Sequence, residues 1–164
     1  MKQLMPQFMR DNSQKDGHAE TVMDYVISWC LRRADVICKD EKPILYSHCR
    51  FMLGKLLDIE NIDDVLFTDV KVWKQWEKID LRVEVDVEQR GKISKHALLI
   101  ENKYYTGLHD ATDDDGERRN QLEVYKKRFE AYYNSQSEKW QKHYALITCL
   151  ERNSAPFKRH FDQI

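Results

Sequence analysis

Glu101 and Lys103 stand directly after four apolar residues, Ala97 to Ile100, in the run Ile100-Glu101-Asn102-Lys103. Burying charge in the middle of a strand is costly, so an acid and a base at this point call for a reason. The two are separated by one residue, and on an extended strand both side chains leave the same face. Asp80 precedes Glu101 by 21 positions, in a segment that alternates strictly. Ile79, Leu81, Val83, Val85 and Val87 fall on one side, and Asp80, Arg82, Glu84, Asp86 and Glu88 on the other. Gln89-Arg90-Gly91-Lys92 reads as a turn, so the two segments are expected to pair as an antiparallel hairpin. That pairing would bring Asp80 and Glu101 within reach of one ion. Two carboxylates, waters and a backbone carbonyl form an all-oxygen site that suits Mg²⁺ or Mn²⁺ better than zinc. A lysine beside them would stabilise developing negative charge and help orient an attacking water. On spacing alone, a solvent-facing strand whose Asp, Glu and Lys form surface ion pairs is the simpler account.

Gln121 and Tyr125 change that balance. They are four apart in a segment of helical periodicity and share one face of it. The ordered set Asp80, then Glu101-x-Lys103, then Gln121-x-x-x-Tyr125 resembles the PD-(D/E)XK nuclease superfamily. More narrowly, Ile79-Asp80-Leu81, Ile100-Glu101-Asn102-Lys103 and Asn120-Gln121-Leu122-x-x-Tyr125 resemble a bacterial branch with an IDI…IENK…QLxxY signature. The resemblance spans about residues 65–150. It implies that Asp80 and Glu101 bind metal, that the carbonyl of Asn102 joins them, that Lys103 assists hydrolysis, and that Gln121 and Tyr125 support the site. Two departures stand out: Ile79 replaces the proline of the family name, and the helical acid that members carry has only Glu20 as its candidate. Glu20 is equally explained as a first-turn acid favouring the helix dipole.

The elements that must position these residues follow from periodicity. Residues 1–17 read as a polar N-terminal arm, and 18–164 as a single domain. A helix is expected from His18, with Val22, Val26, Trp29 and Cys30 on its apolar stripe. A second helix covers Tyr46 to Leu57, and a loop Glu60 to Asp64. Strands are expected over Val65–Trp73, over Ile79–Glu88, over Ala97–Ile100 running into Glu101-Asn102-Lys103-Tyr104-Tyr105, and over His143–Leu150. A Gly- and Asp-rich loop spans Thr106 to Gly116, and a helix runs over 117–133 with Leu122, Tyr125, Phe129 and Tyr132 or Tyr133 inward. A helical turn or two follows Pro156. The fold class is α/β, a mixed central sheet flanked by helices, and the resemblance makes it restriction-endonuclease-like.

Composition fits a single globular domain. The chain has 164 residues, enough for one core, with 41% hydrophobic and 34% charged residues and only five Gly and three Pro, which argues against a disordered or collagenous chain. No apolar run approaches the length of a membrane span, and Met1 to Pro6 lacks the pattern of a signal peptide, so no membrane partner and a cytoplasmic location are expected. Cys30, Cys38, Cys49 and Cys149 are scattered and read as buried, reduced thiols. A net charge of −1 gives no overall basic character for DNA binding. Base does collect at Arg118, Arg119, Lys126, Lys127 and Arg128, beside the acidic Asp113, Asp114 and Asp115. These cations could contact phosphates, though a solvated helix back accounts for at least half of them. Trp73, Trp76 and Tyr104-Tyr105 could stack on bases, with core or rim packing the commoner role. His109 has no assigned role. The expected activity is hydrolysis of DNA by a Mg²⁺- or Mn²⁺-dependent nuclease in defence, restriction or repair. A homodimer or larger complex is left open. The rivals are an inactive binding module of the same fold, and an interaction domain that shares the pattern by chance.

Overall fold

β-branched and aliphatic residues at every second position build the central strands, and two tight turns join them. The computed structural model describes residues 19–103 and 110–148. The N-terminal arm, Tyr104-Tyr105, His109, Cys149 and the turns after Pro156 lie outside the described residues. In chain order come α1 (Ala19–Arg32), α2 (Pro43–Leu56), β1 (Val65–Trp76), β2 (Ile79–Gln89), β3 (Lys92–Lys103), β4 (Asp110–Thr112), β5 (Arg118–Asn120), α3 (Gln121–Asn134) and β6 (Trp140–Thr148). Short 3₁₀ turns cover Val36–Cys38 and Ile62–Asp64.

The main sheet has the order β1-β2-β3-β6. β1–β2 and β2–β3 are antiparallel, whereas β6 runs parallel to β3 after the crossover through α3. Arg90 and Gly91 both take positive φ (51° and 74°), the two-residue turn whose twist matches flanking strands. Glu77 and Lys78 make the same kind of turn between β1 and β2 with no glycine at all (52° and 69°). β1 bulges between Thr68 and Lys71, and the freed amide of Val70 donates to Asp35 Oδ2 at 3.0 Å. Asp35 Oδ1 also accepts from the Ile37 amide, so one carboxylate ties the link between the helices to the bulge.

The sheet is buried on both faces. Leu31, Ala34, Cys49, Leu53 and Leu57 of the α1–α2 layer pack on Phe67, Val72, Leu81, Val83, Val85, Leu98 and Ile100. On the other face Val124, Tyr125, Phe129 and Tyr133 of α3 pack on Ile79, Ala97 and Leu99. Burial of this kind stabilises by about 25 cal/mol per Å² of apolar surface.

Several expectations are corrected. The inward stripe of α1 is rotated: Trp29 and Val26 are exposed, and the buried residues are Asp24, Ser28 and Leu31. The helix expected over 117–133 begins at Gln121, because Arg118–Asn120 pair with Asp110–Thr112 as a ribbon. Asn120 caps α3, its side chain accepting from the Leu122 amide at 3.0 Å. α2 starts three residues before Tyr46, with Pro43 in its first turn, where a missing amide is harmless. Of the described thiols Cys49 is buried, while Cys30 and Cys38 are only partly so.

A partly buried polar chain crosses the β3–β6 pairing. His96 Nδ1 and His143 Nε2 lie 2.9 Å apart with the rings stacked at 5.1 Å, and Ser94 Oγ lies 2.9 Å from His96 Nε2. Burial first, and the neighbouring His143 second, push His96 down to about 4. Burial also lowers His143, against the opposing charge of Asp58. An unfolded histidine takes a proton near 6.5, so between 6.5 and 4 the unfolded chain binds more protons than the folded one. The contribution is whole above 6.5 and is lost as pH falls toward 4, up to about 3 kcal/mol. We expect thermal midpoints across this interval to fall more steeply for the native chain than for His96→Phe. Parallel profiles would refute it.

Candidate active site

The strict alternation of β2 breaks at its first residues. Ile79 packs with the α3-side cluster, whereas Leu81 packs with the α1–α2 side. Asp80 sits at this break, just after the left-handed Glu77-Lys78 turn. The last β2–β3 pair is Leu81 with Ile100, so the next position in each strand sets Asp80 across from Glu101.

Glu101, Asn102 and Lys103 are all buried, and they divide between the two faces as strand geometry requires. Toward α3, Lys103 Nζ lies 2.9 Å from Glu101 Oε1, and Gln121 Nε2 donates to the same oxygen at 2.7 Å. The Gln121 amide also donates to Tyr125 Oη at 3.1 Å. Glu101 Oε2 is buried with no hydrogen-bond partner. Toward α1, the Asn102 side chain donates from Nδ2 to Asp24 Oδ1 at 2.6 Å, and its own Oδ1 is buried without a partner. The Asn102 backbone amide donates to Asp80 Oδ2 at 2.8 Å.

Asp24 and Asp80 are joined a second time by Gln75. Its Nε2 lies 3.1 Å from Asp80 Oδ1 and 3.4 Å from Asp24 Oδ2. Gln75, Asp24, Asn102 and Asp80 therefore close a ring of hydrogen bonds, with buried Asn102 as its floor and exposed Gln75 at its mouth.

The electrostatics are those of acids drawn out of water. Burial, then the charge of Asp80, raises Glu101 to about 7 despite the ammonium of Lys103. Burial likewise raises Asp80 against the hydrogen bond from Asn102, and raises Asp24 against its bonds from Asn102 and Gln75. Burial draws Lys103 down, but its bond and charge pairing with Glu101 leave it above its ordinary value. Burial raises the Tyr125 hydroxyl as well. Perturbed groups gathered at one point are the usual mark of a functional site.

The structure thus joins Glu101, Lys103, Gln121 and Tyr125 in one bonded group and Asp80 and Asn102, with Asp24 and Gln75, in an adjoining one, the charge of Asp80 reaching Glu101. Glu20 lies one helical turn before Asp24, close enough that its charge adds to the raising of both aspartates. Sequence reasoning missed Asp24 and Gln75. Asp24 had a signal, since with Ser28 it continues the helical face of Leu31, but only for the correct phase of α1. Gln75 had none.

Among the described residues, no three His, Cys, Asp or Glu side chains stand together at metal-ligand spacing. Nitrogen donors hold the acids: the amides of Gln75 and Asn102 bridge Asp24 and Asp80, while the Lys103 ammonium and the Gln121 amide hold Glu101. The donor set nevertheless suits a hard cation that keeps several waters, being all oxygen, with Glu101 Oε2 buried and unsatisfied.

Three residues of the basic cluster are paired with the acidic run beside them. Arg119 pairs with Asp113 at 2.7 Å, Arg128 with Asp114 at 3.0 Å and Lys127 with Asp115 at 3.2 Å. Trp73 and Trp76 enclose a buried arginine, Arg82, with the guanidinium 4.0 and 4.7 Å from their ring centres. No helix among the described residues is long and apolar enough to cross a membrane. Comparison with protein-family models, curated proteins and solved structures returned no match.

Proposed function

We propose that this chain is a divalent-cation-dependent phosphodiesterase of the PD-(D/E)XK type, restriction-endonuclease-like in fold, that hydrolyses DNA in the cytoplasm. The observation that carries the reading is the meeting of Lys103 and Gln121 on one oxygen of Glu101, while the other oxygen is buried and unpartnered and the charge of Asp80 acts on the carboxylate. The mixed sheet, with β6 parallel to β3 across α3, agrees with it.

Asp80, Glu101 and the Asn102 carbonyl would hold Mg²⁺ or Mn²⁺, with Asp24 supplying the helical acid expected of Glu20. The N–H and C=O of one strand residue leave on the same side, so the Asn102 carbonyl is directed toward Asp80, which accepts its amide. A bound ion would supply Lewis-acid polarisation of a phosphate oxygen. Gln121 fixes the Glu101 carboxylate, and Tyr125 in turn braces Gln121. Lys103 stays cationic at neutral pH and has further N–H donors for a phosphate oxygen or an attacking water.

Plasmid nicking with Mg²⁺ or Mn²⁺, run beside Mn²⁺ calorimetry, tests the reading. Cleavage should stop in chelator, and Asp80→Asn or Glu101→Gln should remove most cleavage together with the binding heat. These carboxamides keep shape while deleting charge. Cleavage that persists in chelator or in Glu101→Gln overturns the assignment. A second reading, an inactive interaction module of the same fold, draws on the exposed apolar residues Tyr25, Trp29 and Ile37. Mn²⁺ binding with no cleavage of single- or double-stranded DNA would favour it.

A further inference from the structure

Gln75 takes a backbone conformation rare for its residue type. Its φ is 55°, in the left-handed region that side chains with a Cβ seldom occupy outside Asn and Asp. It lies in β1 between Lys74, paired with Leu81, and Trp76, paired with Ile79. Unusual backbone held by its surroundings clusters at functional positions. Here it accompanies a side chain whose single amide nitrogen reaches both Asp80 Oδ1 and Asp24 Oδ2.

The other oxygens of these two acids are already engaged. Asp24 Oδ1 accepts from the Asn102 side chain and Asp80 Oδ2 from the Asn102 backbone. Only the oxygens facing Gln75 are held by a group that can leave, because Asn102 is fully buried and Gln75 is exposed. Two like charges meeting in a partly dry site repel, and a donor placed between them offsets the repulsion. An amide N–H₂ does this with partial charge, and a cation would do it with a full one.

We propose that Gln75 is a positioning residue that stands in for a cation: its amide holds Asp24 and Asp80 facing each other in the ion-free protein and must swing out when a divalent ion binds them. The inference rests on the cation site proposed above and assigns Gln75 the part of an internal competitor. Cation affinity then contains the loss of two hydrogen bonds from Gln75, and removing that side chain should tighten binding. The Gln75 amide is exposed, so its bonds compete with water, and a net worth at the low end for a hydrogen bond gives an expected gain of about three- to tenfold.

The experiment is Mn²⁺ calorimetry on the full chain and on Gln75→Ala and Gln75→Gly. Glycine accepts positive φ freely, so this variant removes the amide while relieving the backbone and guards against loss of folding. Both variants should bind Mn²⁺ more tightly than the native chain, by similar factors, and show larger Mn²⁺-induced rises in thermal midpoint. A merely structural glutamine would lower the midpoint without changing affinity. Unchanged affinity in both variants overturns the inference alone, and so does weaker binding, which would make Gln75 a ligand. No binding by any of the three proteins overturns the cation site and the inference together.

Discussion

Lys103→Ala should bind Mn²⁺ within a few fold of the native affinity yet cleave DNA about a hundredfold more slowly or worse. Lys103 is no ligand in the proposed site; its ammonium lies 2.9 Å from Glu101 Oε1 and is buried with it. Its removal acts on the carboxylate in two opposing ways. Loss of a neighbouring positive charge makes the site more attractive to a cation, while a proton on Glu101, already held near 7, becomes a stronger competitor. Affinity therefore changes little, whereas the charge that develops on phosphate loses a fixed donor in a site shielded from water. Removing one preorganised donor of this kind costs about 10²–10³ in turnover. Single-turnover cleavage at saturating Mn²⁺, set beside calorimetry, separates the two quantities. Equal losses of binding and cleavage would make Lys103 a structural partner of Glu101 and nothing more.

Arg82→Ala carries the largest expected effect on stability. Arg82 is 5% exposed and crosses the sheet from Trp73, its partner on β1. Its guanidinium lies 4.0, 4.7 and 5.0 Å from the ring centres of Trp73, Trp76 and Tyr132. One arm also lies 3.7 Å from Glu84, whose Oε1 accepts from the Tyr133 hydroxyl at 2.8 Å. Truncation to alanine empties the aromatic enclosure and takes the guanidinium away from Glu84, which keeps its bond from Tyr133. Breaking a buried charge pair in this way costs roughly 3–5 kcal/mol, or about 10 °C in thermal midpoint for a domain of this size. Arg82→Lys keeps the charge but not the flat face that stacks on indole, and should recover only part of the loss. A midpoint within ~2 °C of native for Arg82→Ala would show the enclosure to be ornamental.

Arg82 also shows where the sequence could be read and where it could not. The alternation from Ile79 correctly announced a strand, and Gly91 its turn. Periodicity reports which residues share a face, but a charged face is silent about what covers it. Arg82 and Glu84 look solvent-bound by type, yet α3 lies over them because aromatic rings and a tyrosine hydroxyl satisfy both. The same limit hid the phase of α1. Trp29 and Val26 are the more apolar residues, but the helix turns Asp24 and Ser28 inward, since Asn102 and Gln75 give Asp24 its partners. Those partners come from distant strands and leave no trace in local spacing. Glu101, Lys103, Gln121 and Tyr125 were legible because strand period and helix period each place two of them on one face. The meeting of Lys103 and Gln121 at one oxygen of Glu101 depends on how α3 is capped at Asn120, which sets Gln121 as its first residue.

The polar ring has a consequence for how the chain acquires its structure. The β1–β2 and β2–β3 hairpins close over short stretches of chain, but the bond from Asn102 to Asp24 spans 78 positions and that from Gln75 to Asp24 spans 51. Long loops close late because their entropy must be met before their contacts form. The hairpins can therefore assemble without the ring, and the ring exists only once α1 has docked on the finished sheet. Interactions made after the rate-limiting barrier govern the rate of escape from the folded state, not the rate of reaching it. An ion held at the ring would thus act as a kinetic latch: it lengthens the life of the folded chain without hastening its formation.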